Sequence, residues 1–390
     1  MLEFEQSCTL KRLPEQFFAK LVQTTQALVK QGHDVINLGQ GNPDLPTPDF
    51  IVEALQEASE HPKFHKYSPF QGYPFLKEAI ADFYQREYQV EIDPETEVAI
   101  MFGSKTGLVE ISQCLLNPKE KVLVPDPGYP DYMSGIALTD ALPIHMPLKE
   151  ENQFLPDYKQ IAETDLDDAK LMFLNYPNNP TAATATKDFF DQTIDLAKKH
   201  HICVVHDFAY GAIGFEDKKP QSFLQSEEAK DVGIEMYTLS KTFNMAGWRV
   251  AFAVGNPSVI KAIELIQDHY YVSIFGAIQS AAKTALDKGK SAIHALNHTY
   301  KERRDTFLQQ AEKIGWQGGT ASGSFFIWMP TPKGYTSEAF ANLLLEKAHV
   351  VVAPGNGFGP SGEGYVRIGL LGEPERLREA CDRIGKLSLF

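Results

Sequence analysis

Glu235-Met236-Tyr237-Thr238-Leu239-Ser240-Lys241-Thr242-Phe243-Asn244-Met245-Ala246-Gly247-Trp248-Arg249 opens as an apolar strand and ends in a turn that carries a lysine. Lys241 stands among apolar residues, with hydroxyls at Thr238 and Ser240 and a cation at Arg249. A lysine is ordinarily a solvated charge, but desolvation lowers an amine's pKa towards the range where it serves as nucleophile and base. Short apolar runs recur on both sides, at Val98–Phe102, Lys121–Val124, Leu171–Leu174, Ile202–His206 and Val250–Val254, separated by amphipathic stretches. This alternation predicts an α/β fold with a mostly parallel sheet covered by helices. In such sheets ligands bind beyond the carboxyl ends of the strands.

Polar residues of this chain gather at those ends. Asp207 and Tyr210 follow the run Ile202–His206; the carboxylate either caps the next turn or pairs with a positive charge such as a protonated pyridine nitrogen. Phe102-Gly103-Ser104-Lys105-Thr106-Gly107 makes a turn between a strand and an apolar helix, suited either to hydroxyl capping or to holding a phosphate at a helix N-terminus. Two other patterns read as decoys. Gly357-Phe358-Gly359-Pro360-Ser361-Gly362 has the letters of a dinucleotide fingerprint, yet a strand (Tyr365–Gly369) follows where a helix is needed, so it reads as a turn. His200, His201, Cys203 and His206 fall along a strand pattern, and no metal site is expected from them.

Composition narrows the function. The chain has 390 residues, long enough for two or three structural units. A net charge of −14 disfavours nucleic acid and anionic lipid as partners. No apolar run reaches the ~18 residues of a membrane span. Residues 1–14 lack the basic start and apolar stretch of a secretory signal, so a cytoplasmic location is expected. Four scattered cysteines suggest neither disulfides nor a zinc knuckle. Phe17, Phe18, Leu21, Val22, Leu28 and Val29 predict a helix from after Pro14 to Gly32, followed by a short strand at Val35–Leu38. From about residue 286 a long polar helix leads into a second α/β unit with strands at Phe325–Met329, Val350–Ala353 and Tyr365–Gly369.

Ser240-Lys241 with Gly247-x-Arg249, Asn179-Pro180-Thr181 and Asp207-Phe208-Ala209-Tyr210 together resemble the class I/II, fold type I, pyridoxal-5′-phosphate (PLP) aminotransferases. Tyr67 with Gly72 and Leu76, Gly41-Asn42-Pro43-Asp44, Pro127-Gly128-Tyr129-Pro130, Gly323-Ser324-Phe325-Phe326 and Tyr365-Val366-Arg367 extend the likeness over nearly the whole chain. The resemblance implies an arm at 1–13, a small domain from 14–43 and 286–390, and a large cofactor domain at 44–285. It implies that Lys241 carries the cofactor covalently, Asp207 pairs with the ring nitrogen, Tyr210 and Asn179 bond the ring hydroxyl, and Tyr129 stacks on the ring. Ser104, the Lys105 backbone, Thr106, Thr238, Ser240 and Arg249 would hold the phosphate, with Tyr67 contributed across a homodimer. Arg367 would clamp the substrate carboxylate, near Gly41, Tyr129 and Asn179. Two departures are Ala182, where glycine is usual, and Thr238, where serine or glycine is commoner.

The implied activity is ping-pong transfer of an amino group between an amino acid and a 2-oxo acid. A C–S β-lyase on the same fold is the alternative chemistry, because these motifs specify the cofactor and not the fate of the carbanion. No arginine occurs between Arg249 and Arg303, where the dicarboxylate-specific branch carries one, so neutral substrates are favoured. The chain is most similar to bacillus-type methionine-salvage transaminases, which aminate 4-methylthio-2-oxobutyrate. Aromatic, branched, aspartate and LL-diaminopimelate substrates stand as alternatives.

Overall fold

The apolar runs become strands buried on both faces, the pattern of a sheet covered on two sides. In the computed structural model, which describes all residues except Gln16, Phe18 and Asp217, twelve strands form three sheets. They are β1 (Ile36–Asn37), β2 (Val98–Met101), β3 (Lys121–Asp126), β4 (Leu142–Pro147), β5 (Ala169–Leu174), β6 (Cys203–Asp207), β7 (Gly233–Thr238), β8 (Ala251–Gly255), β9 (Phe326–Pro330), β10 (Val350–Val351), β11 (Ala353–Pro354) and β12 (Tyr365–Gly369).

The main sheet has the order β2-β8-β7-β6-β5-β3-β4. Its pairs from β7 through β4 are parallel, and β8 runs against both its neighbours. One face is covered by helices Ser104–Leu115, Tyr132–Thr139 and Pro257–Tyr270, through Leu108, Ile111, Ile136 and Ile263. Helices Pro74–Tyr88, Lys187–His200 and Gly276–Lys288 cover the other, through Phe83, Tyr84, Phe190, Ile194 and Leu286. Because β2, β3, β5, β6 and β7 point the same way, Gly103, Gly128, Asn175, Asp207 and Thr238 all emerge at one edge.

The second apolar core lies around β9, β12 and the helices Lys290–Lys313 and Pro374–Gly385. β1 joins it by pairing in parallel with β10, which brings the early part of the chain next to the late part.

Several elements differ from the sequence reading. The first helix spans Ala19–Lys30, after a single turn at Cys8–Lys11, and Phe18 of its predicted face lies outside the described residues. The run Val350–Ala353 is two strands, because it changes partner at Val352, from β1 to the antiparallel β12. β4 escaped notice because Pro143 and Pro147 interrupt its pattern; as the edge strand of the sheet it needs no donors on its outer side. His206 is fully buried, with Nδ1 2.8 Å from Glu235 Oε2 and Nε2 beside the Tyr176 backbone.

Asp126, at the end of β3, ties the main sheet to the loop of residues 355–364. Its Oδ1 and Oδ2 accept from Ser361 N (3.1 Å) and Ser361 Oγ (2.9 Å), while Gly128 N donates to Phe358 O at 2.8 Å. Asp126→Ala should lower stability by about 1–3 kcal/mol in urea unfolding, and limited proteolysis should then cut first within residues 355–364.

Candidate active site

A cavity of about 560 Å³ opens at the strand edge described above. Its wall includes Gly41, Ser104, Tyr129, Asn179, Asp207, Tyr210, Lys241 and Arg367. Sites from seven separate parts of the sequence thus meet in one space. The turn predicted at Gly357–Gly362 is two short 3-10 turns, and Gly357 through Pro360 border the same cavity.

Lys241 lies in the single helical turn Leu239–Thr242 that ends β7, where Thr238 Oγ1 accepts from Ser240 N at 3.1 Å. This cap spends the Thr238 hydroxyl's acceptor capacity on the backbone and aims the lysine inward. Lys241 Nζ donates to Gly41 O at 2.7 Å and sits 5.5 Å from the centre of the Phe325 ring. Burial, with the Arg367 and Arg249 cations adding to it, pulls its ammonium down to about 8.

Asp207 ends β6 and is 4 % exposed. Oδ2 accepts from Tyr132 OH at 3.0 Å, and the Ala209 backbone N–H of the next turn also favours the charged form, while Oδ1 is buried with no hydrogen-bond partner among the described residues. Burial pushes the carboxyl up to about 6, against the Tyr132 hydrogen bond, which favours the charged form. A carboxylate oxygen left bare in the interior is costly unless a cation or donor occupies the space before it.

Arg367 on β12 is also buried, its guanidinium between the rings of Phe326 (4.1 Å) and Phe358 (4.7 Å). Nη1 donates to Asn179 Oδ1 at 2.7 Å and Nη2 to Gly39 O at 3.0 Å, while Nε has no partner among the described residues. Neutral acceptors leave the charge uncompensated, and burial pulls this guanidinium down to about 10. Asn179 is held by Asn175, whose Oδ1 accepts from Asn179 N and whose Nδ2 donates to Asp207 O, both at 2.7 Å. Burial raises the hydroxyls of Tyr129 and Tyr210, keeping both as neutral donors.

Of the predicted phosphate-holding residues only Ser104 borders the cavity; Lys105, Thr106, Thr238, Ser240, Arg249 and Tyr67 do not. Gly103 takes φ 85°, and a side chain there would run into Arg249, so its absence lets that guanidinium reach the N-terminus of helix Ser104–Leu115. Thr106 Oγ1 bonds Phe102 O at 3.1 Å, Lys105 Nζ pairs with Asp131 Oδ1 at 2.9 Å, and Ser240 is buried beneath the turn. Tyr67 is 91 % exposed and forms no part of the wall. Ala182 adopts φ 57°, a left-handed conformation that favours glycine, and its carbonyl accepts from Ser322 N and Gly323 N.

Sequence reasoning missed Tyr132, Asn175 and the stretch just beyond the arm, Pro14, Glu15 and Phe17, which border the cavity, and the Phe326–Phe358 sandwich around Arg367. The placement of Tyr132 three residues after Tyr129, on the first turn of a helix, was its one available signal.

The sequence profile described as aminotransferase class I and II matches residues 33–384. The L-glutamine–4-(methylsulfanyl)-2-oxobutanoate aminotransferase of Bacillus subtilis is 59% identical over 389 residues, covering 100% of this chain and 98% of that protein. The LL-diaminopimelate aminotransferase of Maridesulfovibrio salexigens is 43% identical, over 99% and 100% of the two chains. The solved apo structure of BacF from Bacillus subtilis superposes with a TM-score of 0.95 at 53% identity, over 100% of this chain and 99% of that one.

The depressed Lys241 pKa is directly measurable. In protein stripped of bound small molecules, competitive amine labelling with peptide mapping should give Lys241 a midpoint at about 8, against the ordinary 10.5. Since folding disfavours its charged form, the cost to stability is full below that midpoint and vanishes as pH rises towards 10.5. Arg367→Leu should raise the midpoint, because it removes a neighbouring cation.

Proposed function

The chain belongs to the class I and II aminotransferases, and from that premise we propose that it uses PLP to move the amino group of glutamine to 4-methylthio-2-oxobutyrate, giving methionine. The bare, buried Oδ1 of Asp207, in one cavity with the low-pKa amine of Lys241, is the observation that carries the cofactor reading. A protonated ring nitrogen is a partner of the right charge for that oxygen. Tyr210 and Asn179 would hold the ring hydroxyl, and Tyr129 would lie against the ring. Ser104, the Lys105 backbone, Thr106, Thr238, Ser240 and Arg249 would hold the phosphate. When bound, PLP supplies the electron sink that makes the Cα proton of an amino acid acidic.

The chain's own groups supply the rest. Lys241 would hold the cofactor, and its Nζ would take the Cα proton of the substrate and return one in the opposite half-reaction. Its depressed pKa keeps a useful fraction neutral near physiological pH. Asp207, kept anionic by Tyr132 and by a cation at Oδ1, holds the ring nitrogen protonated. Arg367 exchanges neutral acceptors for the substrate carboxylate, whose two oxygens suit a planar guanidinium. The flanking rings exclude water from that pair.

The substrate assignment draws on the glutamine and methylsulfanyl-oxobutanoate named for the 59%-identical relative. A cavity bordered by Met133 and Phe358 suits a thioether, and Lys241 and Arg367 are the only lysine or arginine on its described wall. We assign the protein to the cytoplasm, where amino acids and 2-oxo acids meet; among the described residues no helix is long and apolar enough to cross a membrane. We also propose a homodimer in which Tyr67 reaches the neighbouring subunit's phosphate site, a reading supported by exposed Tyr67, Phe70, Leu265 and Tyr270. The arm, small-domain and large-domain limits at 1–13, 14–43 with 286–390, and 44–285 belong to the same proposal.

The deciding assay compares kcat/KM for glutamine with 4-methylthio-2-oxobutyrate against oxaloacetate, pyruvate and LL-diaminopimelate pairs. The proposed pair should lead; a tenfold advantage for oxaloacetate or LL-diaminopimelate would overturn it. Pyruvate and ammonia released from a cysteine conjugate faster than transfer would indicate the lyase. Lys241→Ala and Asp207→Asn should each cut turnover by roughly 10²-fold or more, and near-normal turnover of either would remove its assigned role.

A further inference from the structure

We infer that Glu15, just beyond the N-terminal arm and among the residues that border the cavity, makes the enzyme select an amide over the matching acid: its carboxylate repels a second carboxylate on the substrate. The inference rests on the reading of glutamine as donor. Glutamine and glutamate are nearly isosteric, so cavity shape separates them poorly and charge must do so.

The charges that border the cavity are few. They are Lys241, Arg367 and Asp207, which have roles already, and Asp131, Glu15 and, when protonated, His145. Asp131 is neutralised by Lys105 Nζ at 2.9 Å. Glu15 has no ion-pair partner among the described residues. Its neighbours on the arm are engaged elsewhere: Lys11 Nζ lies 3.4 Å from Glu5 Oε2, and Arg12 donates through Nε to Ala137 O at 2.9 Å and through Nη2 to Leu138 O at 3.3 Å. Those carbonyls belong to helix Tyr132–Thr139, whose first turn supplies Tyr132, Met133 and Ser134 to the cavity. Arg12 thus pins the arm to the element that forms one wall, and Pro14, Glu15 and Phe17 continue along the cavity.

A carboxylate in that position accepts the N–H groups of a side-chain amide and opposes a side-chain carboxylate. The absence of an extra arginine only withholds attraction from dicarboxylates. Glu15 adds repulsion, which is needed where glutamate is to be refused while glutamine enters.

The test uses the PLP-loaded enzyme with 4-methylthio-2-oxobutyrate as acceptor. The ratio of kcat/KM for glutamine to that for glutamate should fall roughly tenfold in Glu15→Gln and be kept in Glu15→Asp. Raising salt from about 0.05 to 0.5 M should lift glutamate turnover in the parent and leave the variant's ratio unmoved, since screening weakens an exposed charge. Competitive inhibition by glutarate, a dicarboxylate with no amine to transfer, should strengthen in Glu15→Gln. A glutamine-to-glutamate ratio and a glutarate inhibition constant both within twofold of the parent would overturn the inference. If the parent does not use glutamine at all, the donor assignment fails, and the glutarate measurement still decides the role of Glu15.

Discussion

Asp207 is a carboxylate placed at the end of an apolar strand with one oxygen bonded and the other bare. Much of the site follows from the need to keep that group charged. Tyr132 is buried behind it, stacked on Phe173 at 4.8 Å, and gives its hydroxyl to Oδ2. Asn175 grips the Asp207 backbone and, through its other side-chain atom, the backbone of Asn179. Asn179 in turn receives Arg367 from the second core. A single chain of hydrogen bonds therefore runs from Asp207 to Arg367, which couples the two ends.

The two cations face this carboxylate under the same constraint. Among the described residues Lys241 and Arg367 have only neutral acceptors, and the Arg367 cation lowers Lys241's tendency to stay charged. In water such a pair would be screened; in a cavity bordered by Phe358 and Tyr210 it is not. The apolar rings thus set the acidity of the polar groups as well as their positions.

Much of this was legible in the chain. Apolar runs of four to six residues gave most of the main sheet, and the polar residues just after them gave Lys241, Asp207 and Ser104 as neighbours, while Asn179 came from the family resemblance alone. Pattern alone could not reveal that Val250–Val254 runs antiparallel, because a doubly buried strand reads the same in either direction. β4 was hidden by its prolines, which only an edge position permits. Tyr132 and Asn175 were invisible for another reason: tyrosine and asparagine carry no signal of their own, and their roles come from what tertiary packing sets beside them. Ala182 shows the reverse case. Its departure from the usual glycine was visible, and its left-handed backbone explains why glycine is usual there.

The three buried charges also bear on how long the protein persists. Each is held in surroundings that favour its neutral form, so the folded chain without ligands is less stable than its packing alone would make it. A molecule that sets a cation before Asp207 and an anion before Arg367 binds the folded state and not the unfolded one, stabilising it by about 2.7 kcal/mol at a concentration one hundred times its Kd. In a cell, where unfolded chains are continually degraded, abundance would then follow the supply of cofactor and substrate. The same electrostatics that prepare the site for chemistry make proteolysis a sensor of whether the site is in use.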